Sequence, residues 1–208
     1  MARNARFLRI SLRGLIILST IACLWVGKLS IEARAQKSAV DRIRRVGGGV
    51  GYDWQEPVDV GGGLYIDPTG PSAPKWLRSL LGDDYFQKVT RVHCVEKTID
   101  AFLVEGLPHL RDVSMIDCGI SDLSPLADLS ELRFLDVRRN CIVDLTPLAT
   151  QLNLELLNLS DNQIVDCSPL LRLKRLTQLE LQRNPIGQQQ IDSLISALPD
   201  TAKTWSRP

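Results

Sequence analysis

Histidine is nearly absent from this chain, with two among 208 residues. There is no H-E-x-x-H and no G-x-S-x-G, so neither a zinc-peptidase helix nor a hydrolase elbow is present. His93 adjoins Cys94, but neighbours in an extended stretch point to opposite faces and do not make a nucleophile–base pair. His109 closes the segment before a leucine run and reads as a surface residue. Cysteine is sparse too: Cys23 lies in an apolar run, and Cys94, Cys118, Cys141 and Cys167 contain no C-x-x-C. That removes the usual zinc signature. The glycine triplets of VGGGVGYDW and VGGGLYIDPTGPSAP lack the Gly-Lys-Ser/Thr ending of a phosphate loop and a full G-x-G-x-x-G. They read as turns around short strands. The chain is expected to be no enzyme, with no cofactor, no metal and no small-molecule substrate.

A basic folded surface is also missing. Residues 1–45 carry ten Lys/Arg against two Asp/Glu, whereas residues 89–186 carry ten against fourteen. The positive charge therefore sits at the N-terminus, and the mildly acidic remainder argues against nucleic acid as a partner. A long hydrophobic run is lacking as well. Arg3, Arg6, Arg9 and Arg13 precede an apolar stretch from Gly14 to Val26, 13 residues, which is short for a membrane span. Arg13 and Lys28 sit near its edges and can snorkel, so the window Ile10–Leu29 reaches 20 residues, about a bilayer's width. Trp25 lies where an interfacial aromatic would help, and the arginines favour the cytoplasmic side. The rival reading is a cleaved signal peptide with its site at Ala33-Arg34-Ala35, nine residues past the apolar run. Both readings export the rest of the chain.

What is present is a period. Leu110, Leu132, Leu154 and Leu176 recur every 22 residues. In that frame Val113, Leu135, Leu157 and Leu179 stand three on; Met115, Val137, Leu159 and Leu181 five on; Ile120, Ile142, Ile164 and Ile186 ten on. Offset eight holds Cys118, Asn140, Asn162 and Asn184. ISDLSPL, IVDLTPL and IVDCSPL are near copies, and an irregular earlier copy begins at Val89. The x-L-x-L piece alternates as a strand, and its apolar face needs a neighbouring copy to cover it. The asparagine is suited to bonding backbone groups left unpaired at a tight turn. Raw ends of such a stack need caps. PKWLRSLLGDDYFQKV, with Trp76, Leu77, Leu80 and Leu81, is the expected first cap. IGQQQIDSLISALPD, with Ile191, Leu194, Ile195 and Leu198, is the expected last one.

The pattern L-x-x-L-x-L-x-x-N-x-I-x-D-L-x-P-L resembles the 22-residue leucine-rich repeat shared by phosphatase-regulator and internalin-type proteins. The resemblance covers Val89 to about Leu198. The wider layout (LRGLIILSTIACLWVG, SAVDRIRRVGGGVGYDW, PKWLRSLLGDDYFQKVTRV, then the repeats) is similar to membrane-anchored leucine-rich repeat proteins of planctomycete bacteria. It implies an architecture and no particular activity. The expected fold is an α/β solenoid of four to five repeats with helical caps, behind an N-terminal transmembrane anchor. The expected divisions are a basic cytoplasmic tail 1–9, a transmembrane signal-anchor 10–29, a juxtamembrane stalk and capping region 30–88, and the repeat domain with its C-terminal cap 89–208. Residues 30–45 read as the stalk.

Candidate binding residues are the exposed positions of each strand, expected to face the concave side of the sheet. They are Phe134 and Leu156 at offset two; Asp136, Asn158 and Glu180 at offset four; Arg138 at offset six; and Arg139, Asp161 and Arg183 at offset seven. Phe134 and Leu156, with Val95 and Ile116, are expected to form an exposed apolar patch, a mark of a partner site. Asp117, Arg139, Asp161 and Arg183 alternate in sign and read either as a recognition strip or as a solvated ion-pair ladder. The functional expectation is a non-catalytic interaction module at the outer face of the cytoplasmic membrane, single-pass, with its C-terminal domain outside. Its partner would be a protein or a cell-envelope polymer. The alternative is a structural envelope component that self-associates. An enzyme would need a site within residues 46–75, where Tyr52, Asp53 and Trp54 adjoin the glycines.

Overall fold

The period becomes the pitch of a parallel sheet. The computed structural model describes residues 12–53, 58–59, 64–65, 73–82, 86–96, 99 and 101–198. In chain order the elements are α1 (Leu12–Arg45), β1 (Gly49–Tyr52), β2 (Val58–Asp59), β3 (Leu64–Tyr65), α2 (Lys75–Leu81), β4 (Val89–Val95), β5 (Asp112–Ile116), β6 (Phe134–Asp136), β7 (Leu156–Asn158), β8 (Gln178–Glu180) and α3 (Gln188–Ala197). Strands β4 to β8 lie side by side and parallel, and β1 adds antiparallel to the open edge of β4. From β5 onward the register equals the repeat: Asp112 faces Phe134, Phe134 faces Leu156, and Leu156 faces Gln178.

The leucine columns are the core. Leu110, Leu132, Leu154 and Leu176 are fully buried, as are Val113, Leu135 and Leu179 and the isoleucines Ile142 and Ile164. Each such side chain contributes about 1.5–3 kcal/mol by leaving water. Opposite the strands, the Ser/Thr-Pro pairs sit in 3-10 turns at Ser124–Leu126, Thr146–Thr150 and Ser168–Arg172. The repeated aspartate has a local task here. Oδ1 of Asp122, Asp144 and Asp166 accepts the backbone N–H two residues on, each at 2.8 Å. That bond starts the turn which the proline then holds.

The caps differ in part from expectation. At the C-terminal end α3 packs Ile191 and Leu194 onto the last coil, with Leu198 also buried, while Ile195 stays on the outer face. At the N-terminal end the cover is the second half of α1, the segment read as a polar stalk. Ala39, Val40 and Ile43 belong to the continuous core, and Ala33 and Gln36 are buried. The charged residues of 30–45 lie away from it, so the composition hides a narrow, mostly apolar stripe. The helix near Trp76 does not provide that cover with its tryptophan, which is 67% exposed.

The expected span Ile10–Leu29 finds no support in the fold. Among the described residues no helix is long and apolar enough to cross a membrane. Ile10 and Ser11 lie outside the described residues, and the rest of that window, with Arg13 and Lys28, is the first half of α1. The basic tail 1–9 also lies outside them, as does Trp54. Asp53 is occupied structurally: its carboxylate accepts the N–H of Lys88 at 3.1 Å, and its own N–H donates to the Lys88 carbonyl.

Candidate binding surface

Each of the parallel strands β4 to β8 is followed by the same unusual turn. Glu96, Asp117, Arg139, Asp161 and Arg183, all at offset seven, have φ between 54° and 58°. A left-handed backbone is costly for residues with a Cβ. The next residue holds it in place. Asn140 donates from Nδ2 to the carbonyls of Met115 and Val137, both at 2.8 Å, and accepts from the N–H groups of Cys118 and Ile120. Asn162 and Asn184 repeat the arrangement one coil later each. Cys118 takes this place in the first regular coil, its thiol directed at the carbonyls of Cys94 and Ile116.

This turn corrects the reading of the candidate residues. Strands β6, β7 and β8 are only three residues long and stop at offset four. Arg138, Arg139, Asp161 and Arg183 therefore stand beyond the strands, on the rim where the chain turns away. The alternating column is a set of rim pairs: Arg139 Nη2 lies 3.0 Å from Asp117 Oδ2, and Arg183 pairs with both carboxylate oxygens of Asp161. Hydrogen bonds and charge from Arg183, with added charge from Arg139 and Arg138, hold Asp161 below the usual carboxylate range. Such exposed pairs add little to stability, because solvent screens them.

The strand face carries rows at offsets two and four, and on β4 and β5 a third at offset six. Phe134 and Leu156 are adjacent in one row, both half-buried. Val95 and Ile116 face each other at offset six, about 13 Å further along the strand at about 3.3 Å per residue. The four apolar side chains are thus two separate pairs, not one patch. Between them runs the polar row His93, Ser114, Asp136, Asn158, Glu180. His93 Nδ1 lies 3.2 Å from Ser114 Oγ. Asn158 donates to Glu180 Oε2 at 2.7 Å, and Gln178 donates to its other oxygen.

Asp136 is the unusual member, a carboxylate 7% exposed in the middle of an otherwise open row. It accepts the N–H of Arg138 at 3.3 Å, and the Arg138 guanidinium lies 3.7 Å away. Burial pushes its pKa up and Glu180 adds to that, against the opposing N–H and charge of Arg138 and the charge of His93. The folded state therefore holds this proton more tightly than the unfolded one. Stability from this group rises as pH falls through the folded value and is lowest above it. Asp136→Asn is expected to be more stable than the parent chain in urea at pH 7, with the difference vanishing toward acid pH. A variant less stable at pH 7 would show that the ionised form is well solvated.

Two buried thiols lie off this face, Cys94 beneath the sheet and Cys167 at the start of a 3-10 turn. Burial pushes the Cys94 and Cys167 thiols up to about 11, with Cys118 adding to the first and Asp166 to the second. Thiolate is the nucleophile, so both are inert. Cys118 is buried and Cys141 exposed, and both are free thiols.

No protein-family model matches the chain, and no curated protein does. Solved structures do. Internalin C2 from Listeria monocytogenes is 30% identical over 53% of this chain and 50% of its own, with a TM-score of 0.46. Internalin F from the same organism is 26% identical over 54% of this chain and 39% of its own, with a TM-score of 0.44. This chain thus spans half or less of these two proteins. The leucine-rich-repeat ectodomain of the receptor kinase SOBIR1 from Arabidopsis thaliana is 14% identical over 82% of this chain and 90% of its own, with a TM-score of 0.53. That last likeness concerns fold alone, and it agrees with the parallel sheet and the stacked leucines: the chain has the architecture of a leucine-rich-repeat solenoid.

Proposed function

We propose that the chain is a non-catalytic interaction module that binds a protein, or a cell-envelope polymer, across the outward strand rows. The observation that carries this reading is Asp136, a nearly buried carboxylate in an open row, beside the apolar pair Phe134 and Leu156. A charge held in a place that costs stability is what a recognition site retains and a purely structural sheet does not need. Glu180, with one oxygen on Asn158 and one on Gln178, extends the row, and the rim arginines Arg138, Arg139 and Arg183 border it. The N-terminal arginines and the apolar run favour a location at the outer face of the cytoplasmic membrane, with the solenoid outside.

The test is capture from membrane extract with the full chain as bait. Because α1 caps the core, the bait must keep it. A Phe134→Ala/Glu180→Ala double variant is expected to lose the partner while unfolding within about 1 kcal/mol of the parent, since both side chains are only half-buried. Equal capture by both baits removes the strand rows as the binding surface. Capture of the bait's own chain alone points to self-association.

A further inference from the structure

Helix α1 is unbroken from Leu12 to Arg45, and its contacts fix its direction. Gln36 donates to the Gln87 carbonyl at 2.9 Å and accepts the N–H of Val89 at 3.1 Å, at the start of β4. Ile43 lies at the other end of that strand, against Gly48, where an added Cβ would come 2.8 Å from Ile43 and 2.4 Å from the Cys94 sulfur. So α1 runs along β4, and its first half projects past the edge of the sheet where the strands begin. On the projecting part Ile17, Ile21, Leu24 and Ile31 are all more than half exposed. Ile17, Ile21 and Leu24 recur at helical spacing as an apolar stripe, and the exposed Lys28, paired with Glu32, stands between them and Ile31. Where Ile31 meets the solenoid there is a groove of about 420 Å³, walled by Leu29, Ile31, Pro108, Pro125 and Leu129. Both signs of charge line it, Lys88 together with Glu32, Glu105 and Asp128, and Glu32 also pairs with Lys28 at 3.7 Å.

We propose that this groove takes one phospholipid of the surrounding bilayer, a zwitterionic lipid with a primary ammonium headgroup such as phosphatidylethanolamine. The inference rests on the membrane reading above. At about 1.5 Å per residue, Ile31 lies about 7 Å beyond Val26, where the apolar run ends. That is the depth of the headgroup zone, which is about 5–8 Å thick on each side of the hydrocarbon core. The glycerol and the first carbons of an acyl chain lie along Leu29 and Ile31, beside Pro108 and Pro125, and the rest of the chain runs down α1 into the bilayer. The phosphate meets Lys88, and the ammonium meets Asp128 and Glu32. A purely anionic headgroup would satisfy the lysine and oppose the three carboxylates. The strand-start flank then rests on the membrane, and the strand rows face sideways along it.

The experiment uses the full chain in bilayer discs carrying a photoactivatable phosphatidylethanolamine, with adducts located by peptide mass spectrometry. Matched discs carry phosphatidylcholine or phosphatidylglycerol probes. Adducts are expected on residues 14–26 and, separately, on the groove peptides around Ile31, Pro108 and Leu129. The groove adducts are expected to be strongest with the ethanolamine probe. In Ile31→Glu, an exposed position, groove adducts are lost and those on 14–26 remain, with circular dichroism unchanged. Adducts on 14–26 without groove adducts overturn the groove and leave the anchor standing. Groove adducts that survive Ile31→Glu, or that are equal for all three probes, overturn lipid recognition. No adducts on either segment overturn the membrane reading and this proposal together.

Discussion

Replacing Asn162 by alanine is expected to destabilise the solenoid by about 4 kcal/mol, because it orphans several buried backbone groups at about 1–3 kcal/mol each. Asn162 accepts the N–H of Ile142 at 3.0 Å and donates to the carbonyls of Leu159 at 2.9 Å and Val137 at 3.1 Å. Alanine fills none of these roles, and water has little access to a residue that is 6% exposed. The left-handed Asp161 beside it, at φ 56°, also loses the side chain that closes its turn. Cys118→Ala, at the equivalent place in the first regular coil, removes only two weak sulfur contacts and is expected to cost about 1 kcal/mol. Urea unfolding of the full chain and both variants measures the contrast. A loss below about 1 kcal/mol for Asn162→Ala would mean that the turns close without the asparagine ladder.

Ile43→Ala is expected to cost about 3 kcal/mol, the scale of a core deletion, although it lies in a segment whose composition reads as a stalk. Ile43 is fully buried within the core that continues through Val92, Cys94 and Val104. Trp76→Ala is expected to cost less than about 0.5 kcal/mol, because an exposed side chain has little to lose. The same urea series decides between the two caps. A large loss at Trp76 with a small one at Ile43 would return the capping role to α2. Gly48→Ala adds a steric check, since its Cβ would overlap both the Cys94 sulfur and Ile43.

The coil is legible in the sequence by itself. A stacked repeat must place apolar side chains at fixed offsets, so Leu132, Leu135, Val137 and Ile142 declare their burial through periodicity before any contact is known. The asparagine column and the C-terminal helix follow from the same local logic, as does the opposite facing of His93 and Cys94. Of the candidate site, Phe134, Asp136, Leu156, Asn158 and Glu180 lie on the strands as the alternation requires. Arg138, Arg139, Asp161 and Arg183 do not, because strand length is set by where the asparagine pulls the chain into a left-handed turn, and alternation carries no stop signal for that. Only the tertiary structure decides the cap. Ala39, Val40 and Ile43 form too thin a stripe to outweigh the charges around them, and they gain their partners from Val89, Val92 and Cys94, some fifty residues away. Only the folded chain, likewise, separates Phe134 and Leu156 from Val95 and Ile116, and sinks Asp136 under Arg138. Burial of a charge depends on what packs across the sheet, and a 22-residue period describes each coil without describing its neighbours' side chains.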